Sequence, residues 1–199
     1  MFEKLRAFIS RIFAVMLIVL ICISSSQWDE KAPIISTILF FCGIVLVGIA
    51  SMGRLWCSVY IGGYKTGTLI TQGPYSMCRN PLYFFSLLGA LGVGFATGTF
   101  LFPLLILIAF VFYYPFVIKS EEDQMMNLHR DEFEIYVRNV PRFFPKLSLL
   151  REPDEYLVKP RVFKEHIFSA LWFVWFPGII VFIKGLHDIK LIPSIFKIY

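Results

Sequence analysis

Leu69 to Tyr83 reads LITQGPYSMCRNPLY, a polar, turn-rich stretch between long apolar runs. Gly73-Pro74 is a turn signal. Asn80 is a good helix N-cap, and Pro81 fits the first helical position, where a missing N–H costs nothing. The sequence therefore predicts a helix starting at Leu82 and running into membrane-like sequence. Its free N–H groups and positive dipole end point at whatever lies near Arg79 and Tyr83, which makes an anion site at a membrane surface. An arginine retained for topology beside an ordinary helix cap gives the same local pattern, so the rest of the chain has to decide.

Of 199 residues, 57% are hydrophobic, and mean hydropathy is +0.70. A soluble domain of this size rarely carries so much apolar surface. The excess lies in runs long enough to cross a bilayer, so residues 1–199 are expected to form one all-α, polytopic membrane domain. The net charge of +5 is not a nucleic-acid signal, because the basic residues fall between apolar runs. Cys22, Cys42, Cys57 and Cys78 lack metal-ligand spacing and read as small buried hydrophobes, so no metal site is expected.

On the N-terminal side, Ile12 to Ile23 is wholly apolar and follows Lys4, Arg6 and Arg11. It reads as a span, with a signal peptide as the alternative. Ile34 to Gly53 is twenty residues without a charge, and Gly43 and Gly48 in it allow close helix contact. Arg54 to Arg79 is basic, with Arg54, Lys65 and Arg79, and is loosened by Gly62-Gly63 and Gly67. On the C-terminal side, Leu82 to Gly98 and Phe100 to Ile118 form a hairpin of two spans. Ser120 with Asp123 looks like a capping box, with Glu121, Glu122 and Asp123 in the first turn of a new helix. Met125, Leu128, Glu132 and Tyr136 share one stripe of that helix, which stops before Pro141. His166 to Ile183 is a last run, broken or kinked at Pro177-Gly178. Lys184 to Tyr199 reads as an interfacial segment.

Five spans with the N-terminus inside place fifteen lysines and arginines on the cytoplasmic side and four outside. The reverse orientation violates the positive-inside rule. Both 54–81 and 119–164 then face the cytoplasm, and the hairpin returns the second polar stretch to the first.

The ordered set is Gly73-Pro74-Tyr75, Arg79-Asn80-Pro81-Leu82-Tyr83, a hairpin, Glu121-Glu122, Tyr136 and Val140-Pro141-Arg142-Phe143. It resembles the integral-membrane methyltransferases of the isoprenylcysteine carboxyl methyltransferase and phospholipid methyltransferase group. Their signature is Arg-His-Pro-x-Tyr, a spacer and Glu-Glu. The resemblance covers a core over residues 54–145. Residues 146–199 form an additional segment with one extra span, read as an anchor, with a substrate wall as the alternative.

The resemblance implies methyl transfer from S-adenosylmethionine to a lipid or lipid-linked acceptor, a carboxylate or an amine, at the cytoplasmic face. The protein is then a multi-pass membrane protein, of the inner membrane if bacterial, whose partner is a membrane lipid. The cofactor would contact Gly67, Thr68, Leu69, Ile70, Tyr75, Asn80, Pro81, Leu82, Tyr83 and Glu121. Arg79 and Tyr83 are assigned to catalysis, and Arg79 and Glu122 to the acceptor. The chemistry agrees: Glu121 can pair with the cofactor's amino group, and the helix start at Pro81 favours its carboxylate. Tyr75 and Tyr83 offer aromatic faces.

Three departures stand out. Asn80 replaces the usual His, as in phosphatidylethanolamine N-methyltransferases. Phe85 stands where the family usually has Gly. Val117 stands where isoprenylcysteine enzymes carry a substrate-contacting arginine. The competing readings are a sterol-reductase-like enzyme using reduced nicotinamide dinucleotide phosphate, and a non-catalytic lipid-binding protein of the same fold.

Overall fold

The computed structural model describes residues 2–62, 64 and 67–199. Gly63, Lys65 and the side chains of Lys4, Arg6 and Arg11, all used in the reading above, lie outside the described residues. The chain runs through α1 (Phe2–Ile23), β1 (Ser24–Ser26), α2 (Trp28–Lys31) and α3 (Pro33–Ile61). It continues with α4 (Pro74–Met77), α5 (Pro81–Ala96), α6 (Leu101–Leu128) and α7 (Arg130–Asn139). It ends with α8 (Pro160–Asp188) and β2 (Phe196–Ile198).

Of the five expected spans, three are helices long and apolar enough to cross a membrane among the described residues: α3, α6 and α8. The apolar α5 has 16 residues. That is about 24 Å at the helical rise, short of a hydrocarbon core of about 30 Å.

The packing is that of a membrane bundle, with small residues inside and large ones outside. On α3 the buried positions include Gly43, Val47 and Ala50, while Ile34, Phe41 and Met52 are exposed. A Cβ on Gly43 would meet the Gly92 carbonyl oxygen at 2.6 Å and the Ala96 nitrogen at 2.7 Å. The α3 and α5 backbones therefore touch, as close-approach glycines permit. Gly48 meets nothing and faces outward, so only one of the two glycines expected at the contact serves it. Cys42 is also exposed, whereas Cys57 and Cys78 are buried. α8 packs on α3 and α5, and α6 packs on α5.

Several local expectations change. α3 does not stop at Gly53 but continues through Arg54 to Ile61, because no glycine or proline interrupts it before Gly62. α6 runs without a break to Leu128. The capping box at Ser120 does not form, since a cap needs a chain break before it and Phe116–Leu128 contains no breaker. The stripe from Met125 to Tyr136 is instead divided at His129, between α6 and α7. α8 holds Pro177 inside one continuous helix.

The all-α expectation misses a small parallel pair, β1 with β2, in which Ser24, Ser25 and Ser26 face Phe196, Lys197 and Ile198. Phe196–Ile198 is accordingly docked on the bundle through β1.

Candidate functional site

The site grows from the α4 turn. Gly73 has φ +57°, and a Cβ there would strike the Tyr60 ring. Only glycine lets the chain turn this close to α3. Its N–H donates to the Arg151 carbonyl at 2.8 Å, and the Arg151 N–H donates to Ser76 Oγ at 2.9 Å. Further along, the Lys146 N–H donates to the Met77 carbonyl, and the Arg79 N–H donates to the Pro141 carbonyl at 2.9 Å. The strap 141–151 thus lies along 73–79 by backbone bonds. α7 is fastened beneath it: the buried Tyr136 hydroxyl donates to the Tyr75 carbonyl at 2.6 Å.

Asn80 occupies the N-cap of α5, but its side chain does not cap the helix. Its Nδ2 donates instead to Glu122 Oε1 at 3.1 Å and to the Arg142 carbonyl at 3.0 Å. Glu122 also faces Arg79 Nε at 3.4 Å and Arg142 Nε at 3.0 Å. One carboxylate therefore ties α6, the α5 entry and the strap together, with its charge offset by two guanidinium groups. Glu121, one position earlier, accepts from the Tyr83 hydroxyl at 2.6 Å. Among the described residues it has no basic partner.

Around these carboxylates the surroundings are aromatic. Tyr83 meets Tyr114 edge-on at 5.3 Å, Tyr114 stacks on Phe110 at 3.9 Å, and Phe143 of the strap reaches Phe110 and Phe84. Tyr75 is buried with its hydroxyl unpaired, and Arg79 Nε is buried without a hydrogen bond. Burial pushes the Tyr75 and Tyr136 hydroxyls up from the usual phenol range and the Cys78 thiol up to about 12. All three are neutral near pH 7, so none supplies an anionic nucleophile.

The structure brings together Tyr75, Arg79, Asn80, Pro81, Tyr83, Glu121 and Glu122 from two stretches some forty residues apart in sequence. Leu82 packs on the cluster of Cys57, Tyr60, Tyr75 and Phe85, and so does Ile70. Gly67 and Thr68 are exposed in the loop, Leu69 is half-buried, and no hydrogen bond ties them to the carboxylates among the described residues. Sequence reasoning gave no role to Arg142 or Tyr136, although both fall within the quoted pattern. The signal was charge balance, because two adjacent carboxylates near a membrane call for more than one arginine. The Phe85 departure has a partner as well. Gly53 of α3 lies against its ring, so a large residue on α5 is matched by a missing one on α3.

A family profile described as phospholipid methyltransferase matches residues 32–132. The nickel-cobalt-cadmium resistance protein NccN of Alcaligenes xylosoxydans xylosoxydans is 38% identical, covering 92% of this chain and 84% of the relative. The cobalt-zinc-cadmium resistance protein CzcN of Cupriavidus metallidurans is 37% identical, covering 85% of this chain and 77% of the relative. No solved structure matches. With its apolar helices, its ordered motifs joined in one cluster and a profile match over half its length, this membrane protein belongs to the phospholipid methyltransferase family.

Proposed function

We propose that the chain transfers a methyl group from S-adenosylmethionine to a lipid or lipid-linked acceptor at the cytoplasmic face of its membrane. The observation that carries this is the difference between two adjacent carboxylates. Glu122 is neutralised by Arg79 and Arg142, while Glu121 is held in place by a phenol and has no cation of its own among the described residues. An oriented carboxylate without a counter-ion, in an aromatic setting, fits a ligand's ammonium group.

The other parts of the cofactor have fitting partners too. The first turn of α5 is left uncapped by side chains, so its N–H groups can accept a carboxylate. Tyr83, in that turn, offers a face for an adenine or a sulfonium, while Tyr75 is buried in the core cluster behind it. When bound, S-adenosylmethionine supplies a methyl group on a sulfonium that leaves without needing a proton. The protein's work is then to align the acceptor and exclude water, and the aromatic row from Tyr83 to Phe143 does the second. Arg79, beside the α5 entry, is placed to orient the acceptor.

Calorimetry in detergent tests the reading. Wild type is expected to bind S-adenosylhomocysteine and not reduced nicotinamide dinucleotide phosphate. Glu121→Gln keeps the shape, removes the charge and is expected to weaken that binding by about 2 kcal/mol. Unchanged affinity removes Glu121 from the cofactor site, and preferential binding of the nicotinamide cofactor replaces methyl transfer by a reductase.

A further inference from the structure

Arg54 stands on α3 directly after the uncharged run 34–53, at the depth where lipid headgroups meet the hydrocarbon. Its guanidinium does not extend into water alongside the helix. It crosses to α5 and α8, donating to Ser86 Oγ through one terminal nitrogen and to Ser169 Oγ at 2.9 Å through the other. Phe173 of α8 lies under it at 5.4 Å from the ring centre. Its Nε is buried and has no hydrogen-bond partner. No carboxylate pairs with it among the described residues, although the other arginines beside the site, Arg79 and Arg142, share Glu122.

The packing builds this arrangement. Gly53, the residue before Arg54, is the one over which Phe85 lies, and Gly89 is the one against which Phe173 lies. Two missing side chains thus draw α3, α5 and α8 together around the guanidinium. Ser86 is one helical turn along α5 from Tyr83, the residue that orients Glu121. A cation drawn between three helices and held by neutral hydroxyls alone is costly, and such a residue is kept for a partner. Ser86 Oγ donates in turn to the Leu82 carbonyl at 2.6 Å, so the donors left for a ligand are those of the guanidinium, whose forked, permanent charge matches a tetrahedral oxyanion.

We propose that Arg54, with Ser86 and Ser169, is the phosphate-binding end of a lipid site, entered between α3, α5 and α8 and lying one helical turn from the carboxylates. On the methyl-transfer reading above, this lipid is the acceptor. Arg54 then supplies from α3 the positive charge that Val117 cannot supply on α6. α8 becomes a wall of the lipid site as well as an anchor.

The test uses the full chain in a maltoside detergent, with three probes: dihexanoyl phosphatidic acid, dihexanoylglycerol and inorganic phosphate. Native mass spectrometry reads the bound fraction, and calorimetry with S-adenosylhomocysteine is run on each variant. Wild type is expected to hold the phosphatidic acid about tenfold more tightly than either other probe, as a desolvated charge-assisted contact to a lipid-borne phosphate requires. Arg54→Gln should abolish that preference, Arg54→Lys should recover only part of it, and Ser86→Ala with Ser169→Ala should weaken it with the arginine still present. Cofactor affinity should stay within a few-fold in all of them, which also shows that they are folded. Equal retention of phosphatidic acid by wild type and Arg54→Gln overturns the proposal. So does inorganic phosphate binding as tightly as the lipid, which would make this a site for a free anion. If wild type holds the lipid through Arg54 but does not bind S-adenosylhomocysteine, the lipid site stands and methyl transfer falls. The opposite pattern leaves methyl transfer and removes Arg54.

Discussion

The two ends of the bundle use their polar groups in opposite ways. At the end where α3 begins and α5 finishes, the groups close on one another, apart from the buried Trp28 Nε1, which has no hydrogen bond. Lys184 pairs with Asp29 at 2.8 Å and Lys197 with Glu30 at 2.6 Å. The Tyr199 carbonyl accepts from the Phe100 and Leu101 N–H groups, and Ser26 Oγ donates to the Gly98 carbonyl. A cavity of about 30 Å³ between Ser24, Ser26, Thr97, Thr99, Lys184 and His187 has room for no more than a water or two. At the other end the polar groups are left open. Among the described residues Glu121 lacks a cation and Arg54 lacks an anion, the Tyr75 hydroxyl is buried without a partner, and Arg79 Nε is buried without a hydrogen bond, 3.4 Å from Glu122. Buried polar groups are normally satisfied, so a closed end reads as a seal and an open end as a place kept for ligands.

The largest effect expected from breaking this contrast is on turnover. Arg79→Lys keeps a positive charge but loses the planar fork. Turnover should fall by an amount worth roughly 3 kcal/mol of transition-state stabilisation, with S-adenosylhomocysteine affinity within a few-fold of wild type. If Arg79 serves only to balance Glu122, lysine substitutes for it and turnover is nearly normal. Loss of cofactor binding instead moves Arg79 into the cofactor site. Steady-state turnover and calorimetry on that one variant separate the three outcomes.

Glu122→Gln comes next. It removes the charge that offsets Arg79 and Arg142 and weakens the tie between α6, Asn80 and the strap. Breaking a buried ion pair from one side costs about 3–5 kcal/mol. Arg142 is 44% exposed and water will compensate it, so about 2 kcal/mol of stability is expected instead. Proteolysis should find the loss as faster cleavage within 141–151, with the opposite end unchanged. Uniform loosening of the whole chain would show that Glu122 does not act locally.

The residues that bind these elements together were legible to unequal degrees. The Gly73–Tyr83 stretch and Glu121-Glu122 were visible because their chemistry depends on residue type and order along the chain. The hairpin between them was visible because apolar runs have a length. What could not be read was pairing across the fold. Asn80 fits an N-cap by type, yet its amide serves Glu122 and the strap. Ser120 resembles a cap, yet it sits inside a helix with nothing to interrupt it. Phe85 looked like a departure until Gly53 was found opposite. The three serines of β1 carry no strand signal of their own, and only the returning Phe196–Ile198 gives them one. Local sequence specifies what a segment can do, and the partner specifies which of those options is used.

The smallest effect sharpens the comparison from the closed side. Asp29→Asn removes the charge facing Lys184 and leaves an amide oxygen that can still accept from Ser36 Oγ. Both members of the ion pair are partly exposed, at 39% and 32%. The pair is therefore worth about 0.5–1 kcal/mol rather than the value of a buried one. A small fall in thermal midpoint is expected, lessened at high salt, where exposed charges are already screened. S-adenosylhomocysteine affinity and turnover should not change, because this end holds the helices and takes no ligand. Should Asp29→Asn alter turnover while leaving stability alone, the Asp29–Lys184 end is part of the working site and the division between a sealed end and an open one is wrong. Should it alter both in proportion, the two ends are coupled through α3 and α8, the only helices that reach from Ser36 and Lys184 to Arg54 and Ser169 among the described residues.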